Sequence, residues 1–189
     1  MMQDTPFQTL AISKSSDDSA TVISRRATDG LPVSLYVVHQ NSLKTKMEIR
    51  YADGHVQQQQ AGKEPIALIA FHFFSWNIDL TLHGVNFRMK RKNPLGGHSF
   101  TYPGLNGQME WKRSSLLGSG VKLVDGRGRT IAVYKKKLGG FLGGRESGFH
   151  IYDSVEDGSF MDVIVVTGLA AAEYRRQSDK EWEWLENLL

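Results

Sequence analysis

SFMDVIVVTGLAAAEYRR, residues Ser159–Arg176, is the stretch whose reading decides the fold. From Phe160 to Ala172 nearly every residue is apolar or small, with Asp162 and Thr167 the exceptions. Val163–Val166 are all β-branched and favour a strand by propensity alone, but Ala170–Ala172 and the Glu173–Arg176 continuation turn the balance to helix. Ser159 or Asp162 is placed to satisfy N–H groups at the helix start, and Arg175 and Arg176 suit the negative end of its dipole. A helix apolar on all sides has no solvent face, so protein or lipid must wrap it. The run falls short of the roughly 18 to 20 residues a membrane-spanning helix needs, as does Ile66–Phe74. The enclosure is therefore expected to be protein.

The preceding residues offer that enclosure. Short strand-like runs recur at Phe7–Ile12, Ala20–Ser24, Val33–Val38, Lys46–Tyr51, Ile66–Phe74 and Ile78–Leu82. They continue at Val85–Lys90, His98–Tyr102, Gln108–Lys112, Val121–Val124, Arg129–Lys135 and Gly148–Tyr152. Turn dipeptides such as Asp29-Gly30, Asp53-Gly54, His83-Gly84, Asn106-Gly107 and Asp125-Gly126 separate them. Many short strands without intervening helices argue for an antiparallel sandwich or barrel, and against a parallel α/β sheet. Ile66–Phe74, continuously apolar, reads as buried on both faces, with His72 a satisfied core imidazole. Gln177–Leu189, with Trp182, Leu185 and Leu189 at helical spacing, reads as a second helical piece on the exterior. One domain over residues 1–189 accounts for the whole chain, with a core helix over about 159–176 and an extension over 177–189.

Composition narrows the chemistry. The 189 residues include no cysteine, which excludes disulfides, thiolate catalysis and thiolate metal sites. The first residues show no basic segment followed by an apolar one, so no secretory signal is expected and a cytoplasmic setting is. The six histidines are scattered without metal-ligand spacing. Glu156, Asp157 and Asp162 lack the order of a calcium loop and fit helix-start electrostatics. Gly118-Ser119-Gly120 is no nucleophile elbow, and LGGFLGGRESG (Leu138–Gly148) lacks the order of a phosphate-binding loop and reads as a hairpin. No catalytic, cofactor or metal residue is assigned, and the chain is expected not to be an enzyme.

The net charge of +3 hides a segregated field. Residues 86–145 hold 13 lysines and arginines against Glu110 and Asp125, a local balance of +11. Arg88, Lys90, Arg91 and Lys92, together with Lys135, Lys136 and Lys137, are the candidate residues for an anionic headgroup. The plain alternative is a solvated basic face that keeps the protein soluble. Nucleic acid is not expected, because the aromatic residues do not interleave with the cations as stacking platforms.

Read in order, Trp111-Lys112-Arg113, KLVDGRGRTIAVY (Lys122–Tyr134), GFHIYD (Gly148–Asp153) and MDVIVVTGLAAAEYRR (Met161–Arg176) form a pattern. It resembles the fungal tubby C-terminal-like proteins, relatives of the LURP-one-related proteins and phospholipid scramblases; PVSLYVVHQNSL and IDLTLHG fit as well. The resemblance implies a mostly β, α+β fold, a closed antiparallel barrel of about twelve strands around one central hydrophobic C-terminal helix. It also implies binding of anionic phospholipid or phosphoinositide headgroups by surface cations, hence peripheral association with membranes. No binding residue is carried over from it, and the scramblases' cysteine-rich acylation segment has no counterpart here. The alternative function is a protein-interaction scaffold using Gln177–Leu189, with no lipid role.

Overall fold

The computed structural model describes residues 5–15, 20–53, 64–72, 75–91, 93, 96–114, 120–135, 147–153 and 158–186, with helix side chains as far as residue 178. Among these, twelve strands precede one helix: β1 (Gln8–Lys14), β2 (Thr21–Arg26), β3 (Pro32–Gln40), β4 (Lys46–Tyr51), β5 (Ala67–Phe71) and β6 (Ile78–Leu82). They are followed by β7 (Val85–Arg91), β8 (His98–Phe100), β9 (Met109–Arg113), β10 (Val121–Val124), β11 (Thr130–Lys135), β12 (Ser147–Ile151) and α1 (Gly158–Glu186). Each strand pairs antiparallel with the next, and β1 pairs with β12, so the sheet closes on itself as an up-and-down barrel. Closure removes the exposed edges that an open sheet would offer for aggregation.

The alternation of side chains selects the inside. On β6, Ile78, Leu80 and Leu82 are buried while Asp79 and Thr81 face outward. His83 and Gly84 join β6 to β7 with φ of 48° and 76°, the two consecutive positive values of a tight two-residue hairpin. Gly84 supplies the second without a Cβ penalty.

α1 fills the lumen. Every residue from Met161 to Ala171 is buried, and Val163, Ile164, Val165 and Val166 are at most 1% exposed. Burying each such side chain is worth about 1.5–3 kcal/mol, which overrides the strand propensity of four β-branched residues in a row. The helix enters at the end of the barrel where β12 finishes and leaves at the opposite end; these are called the entry and exit rims below.

Three expectations are corrected. β5 is not buried on both faces, for Leu68 is 47% exposed. A single-layer barrel around a helix has only one inner face, so alternate side chains must point out. His72 lies beyond the end of β5, half-exposed, with Nε2 2.8 Å from Asp79 Oδ2, and the buried imidazole is His98. The separate terminal helical piece is likewise replaced by one continuous helix to Glu186. Among the described residues, no helix is long and apolar enough to cross a membrane.

Candidate functional site

At the entry rim, Asp162 sits one turn into α1 with its carboxylate buried. Tyr36 donates its hydroxyl to Oδ1 at 2.7 Å, Tyr51 donates to Oδ2 at 2.6 Å, and His83 Nε2 lies 2.7 Å from Oδ2. Asp162 is therefore no helix-start cap. It faces the lumen, where β3, β4 and the β6–β7 turn converge on it. Burial, the adjacent carboxylate and its hydrogen bonds push both tyrosine hydroxyls above their ordinary range. All three donors are spent on one carboxylate rather than on a nucleophilic hydroxyl, so the arrangement fixes the depth and rotation of the helix.

Halfway along, Trp111 Nε1 donates to Thr167 Oγ1, and an added Cβ at Gly168 would lie 2.4 Å from the Phe149 ring. Thr167 and Gly168 thus seat the helix against β9 and β12.

The exit rim has a different character. Lys14 closes β1, Lys46 opens β4, Arg91 closes β7, Arg113 closes β9 and Lys135 closes β11. Lys90 and Lys112 are penultimate in their strands, and Lys122 is second in β10. Alternating strand direction brings all of these to the end where α1 leaves, together with Lys44 in the β3–β4 turn and Arg175 and Arg176 on the helix. Lys112 and Lys122 are direct cross-strand partners, and Glu110 offsets part of that like-charge repulsion with its Oε2 3.2 Å from Lys112 Nζ. Among the described residues, four carboxylates on this half of the barrel each sit in an ion pair: Glu48 with Arg50, Asp79 with Arg88, Glu110 with Lys112 and Glu173 with Arg176. The entry rim is mixed instead, with Arg25, Arg26, Arg127 and Arg129 among Asp29, Asp53, Asp125 and Asp153.

Two large apolar side chains stand out on the exit rim, as Phe7 and Leu31 do on the entry rim. Leu43, at the tip of the β3–β4 turn, is 74% exposed, and Trp76, between β5 and β6, is 49% exposed. The Trp76 carbonyl accepts from His98 Nε2 at 3.1 Å, which ties this loop to β8.

Of the candidates expected from sequence, Lys90 and Lys135 lie at the exit rim, and Lys90 faces outward. Arg88 also faces outward but is held by Asp79, its Nε donating to Oδ1 at 2.5 Å. Arg91 donates Nε to the Gly96 carbonyl and lies over the Tyr174 ring, 5.6 Å from its centroid. Lys92, Lys136 and Lys137 lie outside the described residues, as do Gly118-Ser119 and most of the Gly-rich Leu138–Gly148 segment. Lys14, Lys44, Lys46, Lys112 and Lys122 were not singled out. Lys14, Lys44 and Lys46 lie outside the basic segment and Lys112 and Lys122 within it, and the five come together only through the alternation of strand direction.

Among the described residues, no group of three or more His, Asp or Glu side chains could hold a metal ion. No curated protein and no solved structure matches this chain. One family model matches residues 16–177, most of the chain's length, under the description of a family of unknown function, DUF6593. The chain belongs to that family.

Proposed function

We propose that this barrel is a non-enzymatic protein that docks end-on, by its exit rim, against an anionic phospholipid surface, phosphoinositide-containing membranes included. The observation that carries the reading is the convergence on one rim of a ring of cations and two exposed apolar tips, Leu43 and Trp76. Each cation near an anionic leaflet is worth about 1 kcal/mol, and each apolar tip contributes further by leaving water for the acyl boundary. Either feature alone is ordinary on a soluble protein. Together they provide both terms of interfacial binding and orient the barrel axis along the membrane normal. The closed barrel around one helix is also the architecture implied by the resemblance to tubby-like proteins, which points to the same class of partner.

Co-sedimentation with phosphatidylcholine vesicles containing a few per cent phosphoinositide tests the reading. Binding is expected at low salt, weakening as salt is raised. The Lys90→Glu/Lys122→Glu and Leu43→Ser/Trp76→Ser variants should each lose tenfold or more in apparent affinity, while Arg127→Glu, on the entry rim, should change little. Absence of sedimentation at low salt, or equal sedimentation of all variants, removes the proposal.

A further inference from the structure

The lumen is filled unevenly around α1. β9 and β12 send the buried rings of Trp111 and Phe149 against the helix, whereas at the exit end β2 presents only Thr21 and the helix itself only Ala172. Small side chains on both walls leave an open cavity of about 530 Å³ there, within the range of small-molecule sites. Its floor is apolar, formed by Ile12, Val38, Met47 and Leu169.

The charged groups at the cavity's edge are matched within the protein. Arg176 Nε donates to Glu173 Oε2 at 2.6 Å, and Gln40 and Gln177 donate to Glu173 Oε1 at 2.9 and 3.0 Å. Burial alone would raise the proton affinity of this carboxylate, but these donors outweigh burial and keep it ionised. Arg175 Nη1 donates to the Gly120 carbonyl at 2.7 Å, Lys14 is engaged as well, and Lys44 is exposed to bulk solvent that screens it. An anionic head would meet the ionised Glu173, and a cationic head would have to compete with Arg176 for it. An uncharged head disturbs neither.

One polar group beside the floor remains open. Tyr134 lies on the inner face of β11, paired across the strands with Val121 and Phe149, its ring edge-on to Phe149 with centroids 5.2 Å apart. It lines the cavity, and among the described residues its hydroxyl has no hydrogen-bond partner. Burial and the Glu173 charge hold that hydroxyl above its ordinary range, so it stays a donor at neutral and mildly alkaline pH. We infer that this cavity holds the chain of one uncharged amphiphile on the Ile12–Val38–Met47–Leu169 floor, with a hydroxyl, ester or amide oxygen of its head accepting from Tyr134. A hydrocarbon without a head would leave the Tyr134 hydroxyl unused, and a polar molecule without a chain would leave the floor bare. The site is independent of the rim's contact with anionic lipid, since it takes one neutral molecule in a cavity rather than many charged ones across a surface.

Calorimetric titration of the full chain with octanol, in the absence of vesicles, tests the inference. Saturable one-to-one binding is expected, at least tenfold tighter than that of butanol, which has half the chain. It should be tighter by the same margin than that of octanoate or octylammonium, which carry a chain of the same length on a charged head. Tyr134→Phe removes only the hydroxyl and should weaken octanol binding about fivefold. Thr21→Leu and Ala172→Leu fill the cavity from opposite walls and should each weaken it at least tenfold. Circular dichroism identifies a variant that fails to fold, and the other then decides. Lys90→Glu/Lys122→Glu should bind octanol as the wild type does while losing vesicle binding, so failure of either reading leaves the other standing. No saturable binding, equally tight binding of butanol, octanoate or octylammonium, an unaffected Tyr134→Phe, or folded cavity-filling variants that bind as the wild type does would each overturn the inference.

Discussion

The indole Nε1 of Trp111 donates to Thr167 Oγ1 at 2.8 Å, and Thr167 in turn donates to the Val163 carbonyl one turn back along the helix, at 2.6 Å. One hydroxyl thereby satisfies a buried indole on β9 and fixes its own rotamer. Thr167→Val keeps the shape and removes the acceptor, so it should cost about 1–3 kcal/mol in urea unfolding, the price of an unsatisfied buried donor. In a Trp111→Phe background that donor is gone, and Thr167→Val should cost much less. Equal costs in the two backgrounds would mean the hydrogen bond is not the source.

Gly168 is argued by its neighbours. An added Cβ would meet Phe149 Cε1 at 2.4 Å and Trp111 Cζ2 at 2.9 Å, distances that force the rings to move. Glycine in a helix interior is about 1 kcal/mol worse than alanine, so Gly168→Ala gains that much in propensity. Overpacking costs about 1–3 kcal/mol, and ring displacement inside a closed barrel puts this site at the upper end. Net destabilisation of Gly168→Ala is expected, reversing to a gain when Phe149→Leu makes room; stabilisation by Gly168→Ala alone would contradict the packing.

Ala171, 3% exposed in the last fully enclosed turn, gives a harsher test. An arginine there must bury a charge with no partner, a cost far above the 5–15 kcal/mol stability of a typical domain only if water cannot reach it. The closed barrel supplies that exclusion. Ala171→Arg should yield no soluble folded protein, and recovery of a soluble variant with native circular dichroism would mean the helix is not enclosed.

The strands and the helix were legible because their signals are local. Alternation at Ile78–Leu82 and turn chemistry at His83-Gly84 need no knowledge of the rest of the chain. The nearly all-apolar run Phe160–Ala172 demanded an enclosure, and the count of preceding strands supplied one. What was not legible depends on closure. The period-two rule on Ile66–Phe71 is masked by apolar residues on both faces, and only a single-layer wall makes Leu68 an outward residue. Asp162 looked like a cap by position, whereas its partners Tyr36, Tyr51 and His83 lie between 79 and 126 residues away. The exit rim is invisible for the same reason: Lys14, Lys46, Lys112 and Lys135 are far apart in the chain and become neighbours only through strand direction.

Alkaline pH should loosen the entry rim. Burial and the Asp162 carboxylate hold the Tyr36 and Tyr51 hydroxyls above their usual range, whereas in the unfolded chain they ionise near pH 10. A raised folded value contributes stability that is fully present below pH 10 and is lost as pH climbs beyond it. Tyr36, the more deeply buried, should give a slope approaching about 1.4 kcal/mol per pH unit, and Tyr51 less because solvent screens it. Urea midpoints measured from pH 9 to 11 should fall, and Tyr36→Phe should flatten the fall. A midpoint independent of pH over this range would show that the hydroxyls are not held protonated.

His98 provides the acid counterpart. It is 5% exposed, its ring packs edge-on to Tyr174 with centroids 4.6 Å apart, and its Nε2 donates to the Trp76 carbonyl. Burial, reinforced by the nearby Arg91 charge and only partly offset by that carbonyl, pushes its pKa down to about 4. The unfolded chain takes up this proton near pH 6.5, so between about 6.5 and 4 the unfolded state binds more protons and stability falls with pH. The full window is worth up to about 3 kcal/mol, and its upper part, from pH 6.5 to 5, lies above the range where most carboxylates titrate. His98→Gln retains an N–H for the Trp76 carbonyl and removes the titration. It should be less stable than the wild type at pH 7 because the Tyr174 contact is lost, yet show a flatter decline between pH 6.5 and 5. In the wild type, proton NMR of the His98 ring should show its titration only near pH 4. Titration near pH 6.5, or an unchanged slope in His98→Gln, would place the ring in contact with water and undo the enclosure of the exit end around Tyr174.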